Sequence, residues 1–487
     1  RSRDHLIPGD NRLATPRVFL LVALLVYMVA GCGAPPGEAN TLRRGNGGDP
    51  GTLDPAMAQD EYAFNVLADL YEGLVAYGPD GALRPGTAER WDVSADRRTY
   101  TFVLREDARW SDGTPLVAAD FVRSILRASA AETAAPLGFL LDPVDSIHAE
   151  NDRTLVIRLA EPTPHFLSVL AMAIAMPTKD GGARGGISNG AYVFDDWRPG
   201  ELLRVKRNPA YHASSDVAFD AVEYYPISDP TNELMRYRAG ELDLTMTVPT
   251  ASLDRLREEH AAELRIAPRL AVYYLALDLT EPPLIDPAVR KALSRAIDRE
   301  ALVQLIGRGE QPAYGFVPDG LAGYEPARYE WQNESAATLD SGLSVTLLYD
   351  TGDIHEKIAL AVASMWQDKL GIDVVLEKRE WKYFLESRDL REDWDVMRFA
   401  WTGDYAHPGT FLDLFLTGSP MNLPGYASPE FDRLLRAGQF AEAEARLLAD
   451  YPVIPLYFYV SKHLVSPRIR GFEDNPLDIH PSRFLSQ

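Results

Sequence analysis

Two alternating patterns of apolar and polar residues run through the chain, one typical of strands and one typical of helices. Residues 99–105 (TYTFVLR) and 152–159 (DRTLVIRL) alternate with period two and are bounded by turn-forming residues, as half-buried strands are. Residues 355–370 repeat apolar positions at helical spacing, stop at Gly371 and give way to the strand-like IDVVLEK. Strands interleaved with helices of this length predict an α/β fold.

One further helix is predicted between Asp286 and Gly307. Asp286 offers a capping carboxylate, Pro287 suits the first helical position, and Gly307 suits the cap at the other end. The sequence between them, PAVRKALSRAIDREALVQLI, is therefore interpreted as a single helical segment.

Two apolar segments are candidates for strands that cross between lobes. Residues 272–279 (VYYLALDL) and 455–460 (PLYFYV) are far apart in sequence, and each is flanked by a change of character. A body this long exceeds a single core, so two or more lobes are expected. Paired crossings would let one lobe rotate on the other, as in binders that close about a hinge. The pattern fits two ordinary core strands equally well, and the sequence alone leaves both interpretations open.

Residues 1–31 are predicted to be a signal peptide. Arg12 and Arg17 precede an apolar run at 18–30 that is thirteen residues long. A helix that crosses a bilayer needs about 20 residues. The run leads into VAGC at 29–32, which resembles the lipobox of bacterial lipoproteins, so Cys32 is the expected site of acylation. An uncleaved anchor helix is the alternative, and under both interpretations most of the chain lies outside the cytoplasm.

The composition of the segment after Cys32 predicts a flexible tether over residues 32–48. GAPPGEANTLRRGNGG is rich in Gly, Pro and small polar residues. Because Cys32 is the only cysteine, the chain has no intramolecular disulfide. The net charge is −22, and residues 1–31 carry four Arg against two Asp, so the remainder is near −24. This acidity argues against nucleic acid and against a surface that binds anionic lipid.

A search for catalytic motifs finds one match. Gly186–Gly190 (GISNG) satisfies G-x-S-x-G, which requires a strand before the serine and a helix after it. Here KDGGARG precedes Ser188 and the strand-like AYVFDDW follows, so a loop entering a strand is predicted. A peptide or ester hydrolase that uses Ser188 remains the enzyme alternative.

No metal or cofactor site is predicted. The chain has no HExxH, no glycine-rich phosphate loop and no Walker lysine. Its nine histidines show no spacing typical of metal ligands: His5, His148, His165, His212, His260, His355, His407, His463 and His480. The protein is accordingly predicted not to be an enzyme.

Aromatic residues alternate with isolated charges between positions 380 and 405. Large rigid rings with polar tips, separated by single charges, are typical of a recognition cleft. A core with satisfied charges at its rim gives the same pattern. The residues are Glu380, Trp381, Lys382, Tyr383, Phe384, Arg388, Trp394, Arg398, Trp401, Asp404 and Tyr405.

Several longer segments make the chain resemble the periplasmic oligopeptide-binding proteins, the solute-binding components of peptide ABC importers. They are residues 85–122 (PGTAERWDVSADRRTYTFVLREDARWSDGTPLVAADFV), 188–197 (SNGAYVFDDW), 223–244 (EYYPISDPTNELMRYRAGELDL), 380–385 (EWKYFL) and 397–405 (MRFAWTGDY). The similarity runs from about Leu42 to Gln487.

The resemblance implies a two-lobed α/β fold of the periplasmic-binding-protein type, with two crossing strands and an additional domain, that closes over an extended peptide. On this basis the first lobe is expected to comprise residues 49–61, 185–270 and 463–487. The additional domain is expected at 62–184 and the second lobe at 271–462.

The resemblance also implies roles at the two ends of a peptide. Asp404, in WTGDY, occupies the position of an acid that pairs with the α-ammonium group of the peptide in the family. Arg388 and Arg398 match arginines that meet the ligand's C-terminus, a task that suits the bidentate, permanently charged guanidinium. His355 matches a histidine that does so for a longer ligand.

Further site residues follow from the same resemblance. Trp381 and Trp401 match pocket aromatics, Tyr405 belongs to the motif of Asp404, and Tyr274 lies on the first crossing segment. Asp49 occupies the position of an acid that lines a side-chain pocket, with a turn-forming role before Pro50 as its alternative. Arg123 replaces a residue that is often Tyr and faces the ligand.

The resulting hypothesis is a lipid-anchored receptor that captures short peptides with free termini and delivers them to an inner-membrane ABC permease. A monomer without a cofactor is expected. Murein-derived peptides are the alternative ligand within the same fold. A sensor that presents its bound state to a membrane partner, and the Ser188 hydrolase, are the alternatives from other classes.

Overall fold

Four β-sheets and twelve α-helices make up the part of the chain that a computed structural model describes, residues 40–179, 186–329, 339, 342–390 and 394–487. The predicted signal peptide and the predicted acylation site, Cys32, lie outside the described residues. Among the described helices, none combines the length and the apolar character that spanning a membrane requires.

The strands and helices follow one another in short alternation, as the α/β prediction requires. The strands are β1 (Thr41–Gly45), β2 (Val75–Tyr77), β3 (Leu83–Pro85), β4 (Ala88–Val93), β5 (Thr99–Leu104), β6 (Val144–Ala149), β7 (Thr154–Leu159), β8 (Tyr192–Arg198), β9 (Leu202–Arg207), β10 (Ala221–Tyr225), β11 (Leu264–Leu277), β12 (Gln311–Pro312), β13 (Ser344–Asp350), β14 (Asp373–Arg379), β15 (Val396–Thr402) and β16 (Val453–Leu464). The helices are α1 (Glu61–Leu70), α2 (Ala118–Ser129), α3 (Phe166–Leu170), α4 (Pro230–Arg238), α5 (Leu253–Glu259), α6 (Pro287–Ala296), α7 (Arg299–Ile306), α8 (Asp353–Leu370), α9 (Trp381–Leu390), α10 (Gly409–Leu412), α11 (Pro429–Arg436) and α12 (Phe440–Asp450).

Three larger sheets and one hairpin organise these elements. The first sheet has the order β1-β10-β9-β8, and the second has the order β4-β5-β7-β6. The third sheet has six strands in the order β12-β16-β11-β15-β13-β14, while β2 pairs with β3 alone. The third sheet is mixed: β13 is parallel to β14 and β15, whereas β11 is antiparallel to both β15 and β16. The exact domain boundaries proposed from the sequence stay predictions.

From Leu270 to Leu277, strand β11 is continuously apolar because both faces of the third sheet are covered. Leu270, Val272 and Tyr274 pack into the core on one face, and Tyr273 and Leu275 pack into the core on the other. Successive side chains of a strand point to opposite faces. A strand buried on both sides therefore has a continuous apolar sequence and not an alternating one.

The strands β11 and β16 connect different cores. On β16, Ile454 and Leu456 lie in a core of the third sheet, Leu464 packs with Ile227 beside the first sheet, and the next residue, Val465, lies in the core of the first sheet. The two strands pair antiparallel with each other along their length. They are the crossing strands of a two-lobed fold. The predicted segments 272–279 and 455–460 lie within the cores of the third sheet, and the passage to the next core falls at Leu464 and Val465.

The prediction of a single helix between Asp286 and Gly307 is wrong. The segment forms two helices, α6 and α7, because Ile297 leaves the helical region with φ −81° and ψ 121°. The Asp298 carboxylate then starts α7 by accepting a hydrogen bond from the Ala301 N–H at 3.0 Å. Gly307 closes α7 in the left-handed region, as predicted.

The predicted tether over 32–48 is too long at its C-terminal end. Thr41–Gly45 form β1, and Leu42 is buried in the core of the first sheet. The buried carboxylate of Asp243 accepts a hydrogen bond from the Arg43 backbone N–H at 2.9 Å and also contacts the guanidinium of Arg468. Partners about 200 residues away therefore hold a segment whose composition is typical of a flexible linker.

Candidate functional site

Asp404 lies where β15 ends and the chain turns toward α10. Thr402, the last residue of β15, pairs with Ala271 of β11, and the Gly403 N–H donates to the Leu270 carbonyl at 2.7 Å. The Asp404 N–H donates to the Thr410 hydroxyl at 3.1 Å. Gly403 is required by close approach, since a Cβ there would lie 2.9 Å from the side chain of Thr410. The turn thus places Asp404 just beyond the end of β15, the strand that pairs with β11.

A cleft of about 440 Å³ contains Asp404. Its walls come from α1 and the residues that follow it, from β2, from the residues that follow α3, from the β11 segment at Arg269, and from the C-terminal segment 476–483. The apolar lining includes Phe64, Tyr71, Met172 and Met176. The charged residues in the lining are Glu61, Glu72, Arg269, Asp404, Asp478 and Arg483.

Among the described residues, no cation and no hydrogen-bond donor contacts the Asp404 carboxylate. The side chain is exposed to solvent, yet the surrounding protein atoms displace enough water to raise its pKa above the ordinary value of 3.8. Both observations describe a carboxylate in a concave site: water reaches it from one side, and protein replaces bulk solvent on the others. The ionised form of such an acid is stabilised when a cation enters the cleft.

One of the two arginines in the lining, Arg269, is already paired within the protein. Arg269 donates to Glu61 Oε1 at 2.8 Å, so its charge is compensated on the opposite wall. Glu72 is likewise occupied, because it accepts from the Tyr211 hydroxyl at 2.6 Å and lies 2.8 Å from His212 Nε2. Asp404 is therefore distinguished from both acids of the α1 region by its lack of a partner in the described chain.

A second group of predicted site residues, Arg398 and His355, lies around Asp350 at the end of β13. Arg398 forms a buried ion pair with Asp350, and the two side chains are 9% and 10% exposed. His355 Nδ1 lies 3.1 Å from the Tyr273 hydroxyl, and its Nε2 lies 4.0 Å from Asp350. Burial, together with the charge of Arg398, lowers the pKa of His355. Asp350 thus neutralises the arginine that the resemblance assigns to a ligand carboxylate.

Aromatic rings surround the guanidinium of Arg398. Its central carbon lies 5.7 Å from the ring centroid of Trp381 and 5.1 Å from that of Phe384, and the two rings stack on each other. Trp381 is 48% exposed, which leaves much of this ring open to solvent. Arg388 lies on the same helix, α9, and is half-buried. Their contact with a ligand stays a prediction.

Three predicted aromatic residues have different surroundings. Tyr274 is 2% exposed and packs edge-on against Phe316, with ring centroids 5.1 Å apart. Tyr405 is 5% exposed and stacks on His165 at 4.5 Å. Trp401 is half-buried, and its indole N–H has no hydrogen-bond partner among the described residues. Tyr274 and Tyr405 are core residues in this state, and a role in ligand contact stays a prediction for all three.

The two remaining predicted residues are held by hydrogen bonds within the protein. The Asp49 carboxylate accepts from the Trp197 indole N–H at 3.0 Å and from the Gly200 N–H at 2.7 Å. The Arg123 guanidinium donates to Asp120 at 2.9 Å and to the Thr178 carbonyl at 3.3 Å. Neither lies in the lining of the cleft around Asp404.

Sequence reasoning missed Asp350 and the Arg269–Glu61 pair. Asp350 is the last residue of β13, which is parallel to β15. Ligand-binding residues of α/β sheets gather at the carboxyl ends of parallel strands, so this position carried a usable signal. Arg269 and Glu61 are 208 residues apart, and nothing local in either segment indicates that they meet.

Ser188 does not stand on an exposed elbow. It is 2% exposed, and its hydroxyl donates to the Tyr192 carbonyl at 3.3 Å. The segment continues directly into β8, so the predicted loop before a strand is confirmed.

Two lobes, paired crossing strands and a cleft that holds an unpartnered charge are the features of a two-lobed solute-binding protein. The chain belongs to the bacterial extracellular solute-binding proteins of family 5: residues 82–422 match the family described as "Bacterial extracellular solute-binding proteins, family 5 Middle".

Curated relatives of high similarity are binding proteins, not enzymes. The chain is 33% identical to the periplasmic oligopeptide-binding protein OppA of Escherichia coli (strain K12), over 95% of this chain and 97% of the relative. It is 34% identical to the periplasmic murein peptide-binding protein MppA of the same organism, over 90% of this chain and 91% of the relative.

Solved structures of similar proteins have the same overall fold. The unliganded open form of MppA, 32% identical, superimposes with a TM-score of 0.85 over 92% of this chain and 98% of that one. OppA of Haemophilus influenzae in complex with RPPGFSPFR, 30% identical, gives 0.71 over 92% and 99%. The structure as a whole is therefore more similar to the unliganded open form of MppA than to the peptide complex of OppA.

Proposed function

We propose that this protein is the periplasmic receptor of a peptide ABC importer and that it binds short peptides through their free α-amino group. The observation that carries the proposal is the Asp404 carboxylate, which lines the cleft without a partner among the described residues. Solute-binding relatives named for peptides support the class of ligand.

The chemistry of the peptide N-terminus matches this acid. Every unmodified peptide carries an α-ammonium group, and a hydrogen bond between an ammonium and a carboxylate is stronger than one between neutral groups. Closure of the lobes removes water from the pair, so the ligand must replace the lost hydration of Asp404. Recognition of a terminus common to all peptides leaves the side chains free to vary.

The receptor acts at a membrane surface in this proposal. Acylation of Cys32, which ends the lipobox-like sequence VAGC, would hold the protein to the membrane, and an inner-membrane permease would receive the peptide. The chain is 33% identical to a relative named for oligopeptides and 34% identical to one named for murein peptide. Because these identities are nearly equal, we propose short peptides as the class of ligand.

Native mass spectrometry of the purified full chain tests the proposed function. A receptor that closes over its ligand is expected to retain a set of peptides, seen as discrete mass additions that disappear on denaturation. Calorimetric titration of the stripped protein with tri- and tetrapeptides should then show stoichiometric binding. Absence of retained peptides together with absence of binding across such a panel would reject the proposal.

A prediction about the other end of the ligand follows from the Arg398–Asp350 pair. The Asp350 carboxylate neutralises Arg398 and would repel a ligand carboxylate. Asp350→Asn removes that negative charge and leaves the buried guanidinium of Arg398 without an anionic partner. The quantity compared is the ratio of the affinity for a peptide with a free C-terminus to the affinity for its C-terminal amide. This acid-to-amide ratio is expected to be about tenfold higher in the variant than in the wild type, or about 1.4 kcal/mol. Calorimetry with matched acid and amide tripeptides measures the ratio.

Glu356→Gln is the matched control for this measurement. Glu356 lies on the same helix as His355 but pairs with Lys378 at 2.8 Å on the surface. It should leave the acid-to-amide ratio unchanged. If Asp350→Asn also leaves that ratio unchanged, Arg398 does not contact the ligand's C-terminus.

A further inference from the structure

A cluster of three buried side chains lies at the edge of the cleft, and one of them, Asp478, belongs to the cleft lining. His463 is near the end of β16, while Asp478 and His480 belong to the C-terminal segment. Their side chains are 6%, 5% and 6% exposed. Sequence spacing gave no indication of the cluster, because His463 is separated from the other two by a long irregular segment.

The potential ligand atoms of the cluster point at one another. His463 Nε2 lies 2.7 Å from Asp478 Oδ1, and His480 Nε2 lies 3.1 Å from the same oxygen. One ligand atom from each residue falls within 4.8 Å of the other two. Tetrahedral zinc has ligand distances of about 2.0 to 2.2 Å, which places neighbouring ligand atoms about 3.3 to 3.6 Å apart. Small side-chain rotations would therefore admit an ion between them.

The surroundings of His463 favour this arrangement. Its Nδ1 lies 2.9 Å from the Thr245 carbonyl, which can only accept, so Nδ1 carries a proton and Nε2 is directed at the cluster. A hydrogen bond from the second ring nitrogen to a backbone carbonyl is the usual way in which proteins orient a metal-ligating histidine. His480 is fixed from another side, because its ring stacks on Phe472 at 4.0 Å.

The charge of the neighbourhood and the access route are also compatible with a cation. Two arginines lie near the cluster. The charge of Arg269 reaches Asp478, and Arg269 is paired with Glu61 at 2.8 Å. Arg44 donates to the His480 carbonyl at 2.8 Å, and its charge also acts on the buried carboxylate of Asp69. Asp478 lines the cleft around Asp404, so an ion has a path from solvent. A metal site without an entry path could not load after folding.

We propose that His463, Asp478 and His480 bind one divalent transition-metal ion, with zinc the best match to two imidazoles and one carboxylate. The fourth position of a tetrahedral site would be taken by water from the cleft side. The alternative is an ionic hydrogen-bonded triad, in which a proton shared with His463 takes the place of the metal. This inference does not depend on the ligand of the cleft.

Equilibrium dialysis of the untagged, chelator-stripped full chain against zinc chloride tests the proposal. One equivalent of tightly bound zinc is expected. His463→Gln and His480→Gln should each weaken zinc binding by about 100-fold, since each removes one of three protein ligands. His212→Gln is the matched control, because His212 is also largely buried and paired with an acid, Glu72 at 2.8 Å, outside the cluster. It should bind zinc like the wild type.

X-ray absorption spectroscopy of the zinc-loaded wild type makes the test independent of whether the variants fold. Two imidazoles with additional oxygen and no sulfur are expected around the ion. A sulfur ligand would place zinc at Cys32 and overturn the proposal. A wild type that takes up no stoichiometric zinc would also overturn the proposal. So would equal zinc affinities for His480→Gln and His212→Gln.

Discussion

Replacing Asp404 with alanine is expected to weaken the binding of short peptides by about 2 to 5 kcal/mol, or about 30-fold to 4000-fold. The Asp404 carboxylate has no partner in the described chain and lies in the cleft, so the ligand's ammonium is the charge that would compensate it. After the substitution, closure of the lobes would bury the ammonium without an anion. Isothermal titration calorimetry with a tripeptide measures the loss.

A double-mutant cycle assigns this loss to the ligand's N-terminus. The second change is made in the peptide, by acetylating its amino group, which removes the charge and leaves the side chains intact. The two changes together should cost little more than either alone, because both remove the same interaction. Additive losses, or an acetylated peptide that binds the wild type as tightly as the free one, would contradict the role of Asp404.

The pH dependence of binding gives an independent readout. Burial raises the pKa of Asp404 above 3.8, so its carboxylate begins to protonate at a higher pH than that of an ordinary aspartate. Peptide affinity should accordingly fall as the pH is lowered through this raised pKa, and the fall should be absent in Asp404→Ala. In the same range, binding should release protons, because the bound ammonium favours the carboxylate. Calorimetry in buffers of different ionisation enthalpy measures that release.

Glu444→Ala is expected to lower the free energy of unfolding by about 3 to 5 kcal/mol. Glu444 is fully buried, and one carboxylate oxygen accepts from the N–H groups of Phe316 and Val317 at 2.9 and 2.8 Å. The other accepts from the Tyr324 hydroxyl at 2.7 Å and the Ala327 N–H at 2.8 Å. Alanine leaves the buried N–H groups of Phe316 and Val317 and the half-buried N–H group of Ala327 without this acceptor, and the Tyr324 hydroxyl retains only the Phe440 carbonyl at 3.5 Å. Urea unfolding followed by circular dichroism measures the change.

Two further substitutions define the cause of this destabilisation. Glu442→Ala lies on the same helix with an exposed side chain and should change the stability by less than about 0.5 kcal/mol. Glu444→Gln keeps one acceptor oxygen but turns an amide N–H₂ toward Ala327, so an intermediate loss is expected. Equal stabilities for Glu444→Ala and Glu442→Ala would show that the loop at 316–327 does not depend on this carboxylate.

Features set by neighbouring residues could be predicted from the sequence. The alternation of residues 99–105 and 152–159 predicted β5 and β7, because a half-buried strand repeats its environment every second residue. Gly371 marked the end of α8, where the backbone adopts φ 69°. The break between α6 and α7 was missed because good helix formers surround it, and the capping bond of Asp298 outweighs their propensity.

The candidate site likewise has some features that the sequence predicted and others that only the tertiary structure shows. The position of Asp404 in WTGDY came from a resemblance in the sequence, and the structure adds its cleft and its lack of a partner. The pairing of Arg398 with Asp350, and the burial of Tyr274 and Tyr405, could not be inferred from their own segments. The first two depend on which strands are adjacent in the third sheet, whereas Tyr405 is buried in the core of the second sheet, where it stacks on His165.

By itself the sequence determined the strand and helix periodicity, the likeness to a peptide receptor and the acid expected to meet a ligand. The tertiary structure alone decided which charges are already compensated. It joined Asp243 to Arg43, Arg269 to Glu61, and His463 to Asp478. The physical reason is range: backbone conformation and burial period are imposed by residues a few positions apart. The partner of a buried charge is instead whichever residue the crossing of distant chain segments brings within hydrogen-bond distance.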